Sequence, residues 1–169
     1  MNTVYWITGL SGAGKTTIGK LFYEKIKEKY PNTVFLDGDT LRKVFGDDLG
    51  YSKEDRRKCA MRYARLCAML QEQGMNVICC TISMFDSVRM WNKEHICNYK
   101  EIYVKVSVDT LRTRDQKGLY SGTTEEESLE VVGVDWEVEE PKNPDLVLIN
   151  DGECSPKEQV DKILHYCIE

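Results

Sequence analysis

The sequence predicts an α/β fold, a parallel sheet of about five strands with helices on both faces, in a single domain covering residues 1–169. Three observations predict it. Short apolar runs alternate with helix-like stretches along the chain. The run at 76–82, Asn-Val-Ile-Cys-Cys-Thr-Ile, suits a strand buried on both faces. A glycine-rich turn, residues 9–17, joins the first apolar run to the first helix.

The elements follow in order. Val4-Tyr5-Trp6-Ile7-Thr8 reads as the first strand and residues 15–30 as the first helix. A second strand, 33–36, is ended by Asp37-Gly38-Asp39. Residues 52–73 form a long helix: Ser52 and Asp55 suit a capping box, and Ala60, Tyr63, Ala64 and Cys67 recur at helical spacing. Gly74 stops it. After the third strand, 86–97 reads as a helix, 101–108 as the fourth strand and 145–149 as the fifth. Ser155, Pro156 and Glu158 supply the cap, first-turn proline and capping-box carboxylate of a last helix. Between 116 and 143 periodicity fails and glutamates crowd, at 125–127, 130, 137, 139 and 140. So long an irregular stretch reads either as a lid over reacting groups or as a solvated loop.

Residues 9–17 read Gly-Leu-Ser-Gly-Ala-Gly-Lys-Thr-Thr, the G-x-x-x-x-G-K-[ST] pattern of a P-loop, between strand and helix. Gly9, Gly12 and Gly14 let the backbone aim successive N–H groups at a phosphate, with Ser11, Ala13 and Thr17 in the same loop. Lys15 adds a point charge for the outer phosphates, and the Thr16 hydroxyl suits Mg²⁺. The positive end of the following helix faces the same anion. The pattern implies binding of a nucleoside triphosphate with Mg²⁺.

Composition excludes several classes. A net charge of −5 argues against broad nucleic-acid or anionic-membrane binding. No apolar run approaches membrane-spanning length, and Met1-Asn2-Thr3 leads straight into a strand, so no leader peptide is expected. Seven cysteines without a C-x-x-C pair, and only His95 and His165 beside them, fit a reducing cytoplasm better than a zinc site. Cys79 and Cys80 are expected as small buried side chains.

Asp37 and Asp39 end the second strand at the carboxyl edge of the sheet, where α/β proteins hold ligands. One can hold the metal through water, the other can accept a proton from an attacking hydroxyl. Arg56 and Lys117 are the most attractive cations for a second phosphorylated ligand. Most of the other arginines on the long helix (57, 62, 65) read as solvent-facing ion pairs. Ser83, just past the third strand, is either a contact to that ligand or a plain strand-ending serine.

These residues resemble the adenylyl-sulfate kinases, which phosphorylate the ribose 3′-hydroxyl of adenosine 5′-phosphosulfate. The resemblance rests on residues 9–17, Leu-Asp-Gly-Asp with Arg42 (36–42), Leu-Gly-Tyr-Ser-x-Glu-Asp-Arg (49–56), Ile82-Ser83, Arg-Asp-x-Lys-Gly-Leu-Tyr (114–120) and Gly-Val-Asp (133–135). It implies Asp37 near the metal with Thr16, and Asp39 as base beside Lys15. It implies Arg114 on ATP, and Asp39, Arg42, Tyr51, Arg56, Cys59, Ile82, Ser83, Lys117 and Val131 around the acceptor. A serine equivalent to Ser83 is commonly labelled a phosphoserine in that family; direct in-line transfer needs no such step.

The departures lie in the acceptor half. The family's phenylalanine becomes Tyr51, its asparagine becomes Cys59, and a proline becomes Met84. In the lid, lysine and phenylalanine become Leu129 and Val131. Losing a base-stacking ring costs roughly 1–3 kcal/mol unless Trp136 or Tyr120 replaces it. The expected acceptor is therefore a small nucleotide. Cytidine diphosphoramidate, the substrate of a relative in capsular phosphoramidate synthesis, is preferred over adenylyl sulfate; a homodimer is left open. A P-loop switch or regulatory binder is the non-transferase reading, but Asn92-Lys93-Glu94-His95 lacks the aspartate of a guanine-reading run.

Overall fold

The computed structural model describes residues 2–46, 48–114 and 137–167. Among them, five strands form one wholly parallel sheet, in the order β2-β3-β1-β4-β5. They are β1 (Val4–Thr8), β2 (Thr33–Asp37), β3 (Asn76–Thr81), β4 (Tyr99–Lys105) and β5 (Leu146–Ile149). The helices are α1 (Lys15–Lys29), α2 (Gly38–Phe45), α3 (Lys53–Glu72), α4 (Asp86–His95), α5 (Val108–Arg114) and α6 (Pro156–Cys167). The parallel α/β architecture and the helices on both faces are as the sequence predicts.

Period-two alternation along buried strands divides the core into two layers. Val4, Trp6, Val77 and Cys79 face α3 and α4, packing with Tyr63, Ala64, Cys67 and Val88. Tyr5, Ile7, Ile78 and Cys80 face α1 and α6, packing with Ile18, Phe22, Val160 and Ile163. Cys79 and Cys80 are buried thiols, as expected of them. The Ser155–Glu158 capping box forms, Ser155 N–H donating to Glu158 Oε2 at 2.7 Å and Glu158 N–H to Ser155 Oγ at 3.3 Å. Ser52 caps α3 by accepting from Asp55 N–H at 3.2 Å. The Asp55 carboxylate instead accepts from Gly50 N–H at 3.1 Å, so the expected box there is half made.

Two helices depart from the sequence reading. Helix α2 begins directly after β2, because Asp37 is its cap and accepts from Thr40 N–H at 3.2 Å. Asp39 therefore lies in the first turn of a helix, not in a strand-ending loop. Helix α5 is capped by the Ser107 hydroxyl, which accepts from Thr110 N–H at 3.2 Å. Each is only eight or seven residues long and buries one leucine, Leu41 or Leu111. Leu41, Val44 and Phe45 do stand at helical spacing in α2, but over too short a stretch to identify a helix. The second cap also corrects β4: it runs Tyr99–Lys105, two residues earlier at its start than 101–108, since α5 already occupies Val108.

The sheet register carries the chemistry to one edge. Thr8 lies level with Thr81 and Tyr103, and Asp37 level with Cys80. The loop after β1 and the cap of α2 thus emerge side by side at the carboxyl edge, where the chain departs from β1 to either side.

Candidate active site

Helix α1 starts at Gly14, whose left-handed backbone (φ +96°) turns the loop onto the helix axis. A Cβ there would lie 2.6 Å from Asn150 Nδ2. At the loop's other end, a Cβ on Gly9 would lie 2.4 Å from Val104 O. The loop is also braced from behind. Asn150 Nδ2 donates to Ala13 O at 2.8 Å, and Arg114 Nη2 donates to Asn150 O at 2.5 Å. Arg114 accordingly stands at the P-loop through Asn150, and Ala13, fully buried, offers only its backbone.

Lys15 is 9% exposed, and its Nζ donates to Leu10 O at 2.6 Å. The Thr16 hydroxyl donates to Asp37 Oδ2 at 2.7 Å, while Asp37 Oδ1 caps α2. One carboxylate therefore joins the P-loop helix to the helix carrying Asp39. A hydroxyl and a carboxylate in contact are hard oxygen donors of the kind Mg²⁺ takes alongside substrate phosphates and water. No cluster of three His, Cys, Asp or Glu side chains suited to a metal occurs among the described residues. Below the loop, burial pushes the Cys80 thiol far above its ordinary range, and it donates to Lys15 O at 3.3 Å. It is a structural donor and not a nucleophile.

A cleft of about 230 Å³ runs from this loop past Asp37 and Asp39 to Arg42, Tyr51, Arg56 and Cys59, with Ile82 and Ser83 on its other wall. The far end is an aromatic ring with two guanidinium groups against it. Arg42 Cζ lies 4.1 Å and Arg56 Cζ 5.2 Å from the Tyr51 ring centroid. Arg56 Nε donates to Tyr51 O at 2.8 Å. Arg42 is held from three sides: it donates to Leu49 O at 2.9 Å, to Gly50 O, and through Nη1 to Cys59 Sγ at 3.3 Å. The thiol is thus an acceptor that orients Arg42. By contrast Arg57 pairs with Glu54 and Arg62 with Asp48 at the surface, the ion pairs expected of most helix arginines.

The opposite wall is a strained turn. Ser83 has φ +33°, costly for a serine, and is 6% exposed; its Oγ lies 2.8 Å from Thr81 Oγ1. The Thr8 hydroxyl donates to Ile82 O, tying this turn to the strand before the P-loop.

Lys117 and Val131, with most of the candidate lid at 116–143, lie outside the described residues. Every other sequence-derived site residue borders the cleft or stands directly behind it. Four residues that sequence reasoning missed are Tyr63, Thr81, Phe85 and Asn150. Tyr63 read as an apolar helix position, yet its hydroxyl donates to Gly38 O at 3.1 Å beside Asp39. Burial, helped by the Cys59 thiol, keeps that phenol protonated by raising its pKa. Asn150 had a usable signal, a polar residue directly after an apolar strand. Asn92 is fully buried within α4 while Lys93, Glu94 and His95 are exposed, and none of the four borders the cleft, so the partial guanine-reading run is an ordinary helix segment.

A family model described as adenylylsulphate kinase matches residues 1–149. Cytidine diphosphoramidate kinase of Campylobacter jejuni is 43% identical over 161 residues, covering 95% of this chain and 94% of that protein. Adenylyl-sulfate kinase of Bacillus velezensis is 35% identical over 167 residues, covering 98% and 84%. Among solved structures, the APS kinase CysC of Mycobacterium tuberculosis, in complex with AMPPNP and APS, matches with a TM-score of 0.89 at 29% identity, covering 99% and 98%.

Proposed function

Since the chain belongs to the adenylylsulphate kinase family, and is accordingly an ATP-dependent kinase acting on small nucleotides, we propose that it transfers the γ-phosphate to the ribose 3′-hydroxyl of cytidine diphosphoramidate. The observation that carries transfer is the single cleft: P-loop, paired Thr16 and Asp37, Asp39, and the Arg42–Tyr51–Arg56 cluster all border one space. The choice of acceptor is supported by the 43% identical relative of that name. It is supported too by Cys59, whose single thiol faces Arg42 where the adenylyl-sulfate kinase pattern has an amide.

The backbone N–H groups of residues 9–17 and the Lys15 ammonium hold the triphosphate and receive the charge that spreads over the transferring group. Thr16 and Asp37 would hold Mg²⁺, which neutralises charge on the phosphate oxygens when bound. Asp39 accepts the proton of the attacking hydroxyl, from a helix turn that Tyr63 steadies through Gly38 O. Arg42 and Arg56 orient the anionic tail of the acceptor, and the Tyr51 ring fixes both guanidinium planes. Ser83 takes no phosphate in this scheme; its hydroxyl faces Thr81.

Adenylyl sulfate is the second reading, favoured by the family model itself. The test is ADP release from ATP·Mg²⁺ with each nucleotide offered separately, and the product's phosphate located by phosphorus–proton correlation NMR. Acceptor-dependent release with phosphate on the 3′-oxygen of the cytidine compound is expected. Release that ignores both acceptors, or phosphate at another oxygen, contradicts the proposal.

A further inference from the structure

Helix α4 begins without a cap of its own. Phe85 occupies the N-cap position and supplies no side-chain acceptor, although the first amides of a helix need one. The acceptor arrives from far along the chain: Asp86 N–H donates to Glu139 Oε2 at 2.6 Å. Glu139 also grips the preceding turn through its backbone. Its N–H donates to Met84 O at 3.4 Å, and its carbonyl accepts from Arg89 Nη2.

Arg89 makes that grip rigid. It is 3% exposed, pairs with Asp86, and reaches within 3.5 Å of Glu101 Oε1, a carboxylate 1% exposed on β4. Lys93 reaches the other oxygen of Glu101 at 3.4 Å and donates to Asn143 O at 3.4 Å. Glu139 is therefore fastened to an ion network that β4 anchors in the core.

What it grips is the cleft wall. Ser83 and Phe85 border the cleft, and the left-handed φ of Ser83 persists only where neighbours over-determine it. We propose that Glu139 is a positioning residue for the acceptor: it caps α4 from outside the helix and so holds the turn at 83–85 in the shape the acceptor meets. The inference rests on reading this half of the cleft as the acceptor's.

Glu139→Ala and Glu139→Gln test it. KM for ATP and for whichever of cytidine diphosphoramidate and adenylyl sulfate the parent phosphorylates would be measured, with amide hydrogen exchange mapped in parallel. Glu139→Ala should raise the acceptor KM about fivefold, the size of a lost helix cap, leave the ATP KM within about twofold, and speed exchange at residues 84–88. Glu139→Gln retains an acceptor oxygen and should restore most of both losses. Unchanged exchange at 84–88 in Glu139→Ala, or ATP and acceptor KM values rising together, overturns the proposal. If the parent phosphorylates neither nucleotide, the acceptor reading fails by itself, while exchange at 84–88 still decides whether Glu139 holds the turn.

Discussion

At the P-loop end of the cleft the ligand-facing groups come from one run of nine residues and are mostly backbone, braced behind by Asn150 and Arg114. At the other end Asp39, Arg42, Tyr51, Arg56, Cys59 and Ser83 arrive from α2, the connection after it, α3 and the turn after β3. The first construction leaves little to vary: a Cβ at Gly9 or Gly14 collides with fixed neighbours. The second changes by one side chain at a time, as the thiol of Cys59 on Arg42 illustrates. On the reading proposed above, a kinase built this way can keep its donor end while its acceptor end changes, without touching the sheet.

Substitutions at the two ends should therefore fail in different ways. The largest effect is expected from Lys15→Ala, a fall of about 10⁴-fold in kcat, comparable to removing other cations from a transferring phosphoryl group. Unchanged circular dichroism would show that the fold survives. Asp39→Asn comes next, with a loss of about 10³-fold in kcat and little change in either KM, as for a missing general base. Near-normal turnover in single-turnover assays would remove Asp39 from that role. Arg56→Ala belongs to the acceptor end. It should raise the acceptor KM roughly 30-fold, within the range for a lost charge-assisted contact, and leave the ATP KM alone. A change confined to ATP would reverse the assignment of the two ends.

The smallest effect lies outside the cleft. Arg62 donates to Asp48 and holds its carboxyl below the usual carboxylate range. A lowered folded-state pKa means the pair supports the fold above its unfolded value of 3.8, and that support is lost as pH falls through the lower folded value. Both groups are solvated, so Asp48→Asn should shift Tm by less than about 2 °C at neutral pH and flatten the acid limb of a pH–Tm profile. A large neutral-pH shift would mean the pair does more than decorate the surface.

Legibility followed the same division. Contiguous features were readable: the P-loop, the buried strand at 76–81, the helix caps at Ser52 and Ser155, and the two acidic residues after β2. Helices α2 and α5 were not, because eight and seven residues are too few for a period to stand out and their caps, Asp37 and Ser107, also suit loops. Tyr63 was hidden for a different reason: its ring packs in the core as its spacing suggests, and only the tertiary fold brings its hydroxyl to Gly38 O. Asn150 and Glu139 act across more than fifty residues of chain, a relation no local pattern records.

The most direct test compares kcat/KM for cytidine diphosphoramidate with that for adenylyl sulfate while the KM for ATP is measured with each. The account predicts the same ATP KM in both cases and a preference of about 100-fold or more for the cytidine compound, the size of discrimination that one or two altered pocket contacts supply. Equal or greater kcat/KM with adenylyl sulfate would contradict it, and would mean that the changed acceptor end still accepts the nucleotide for which the family is named.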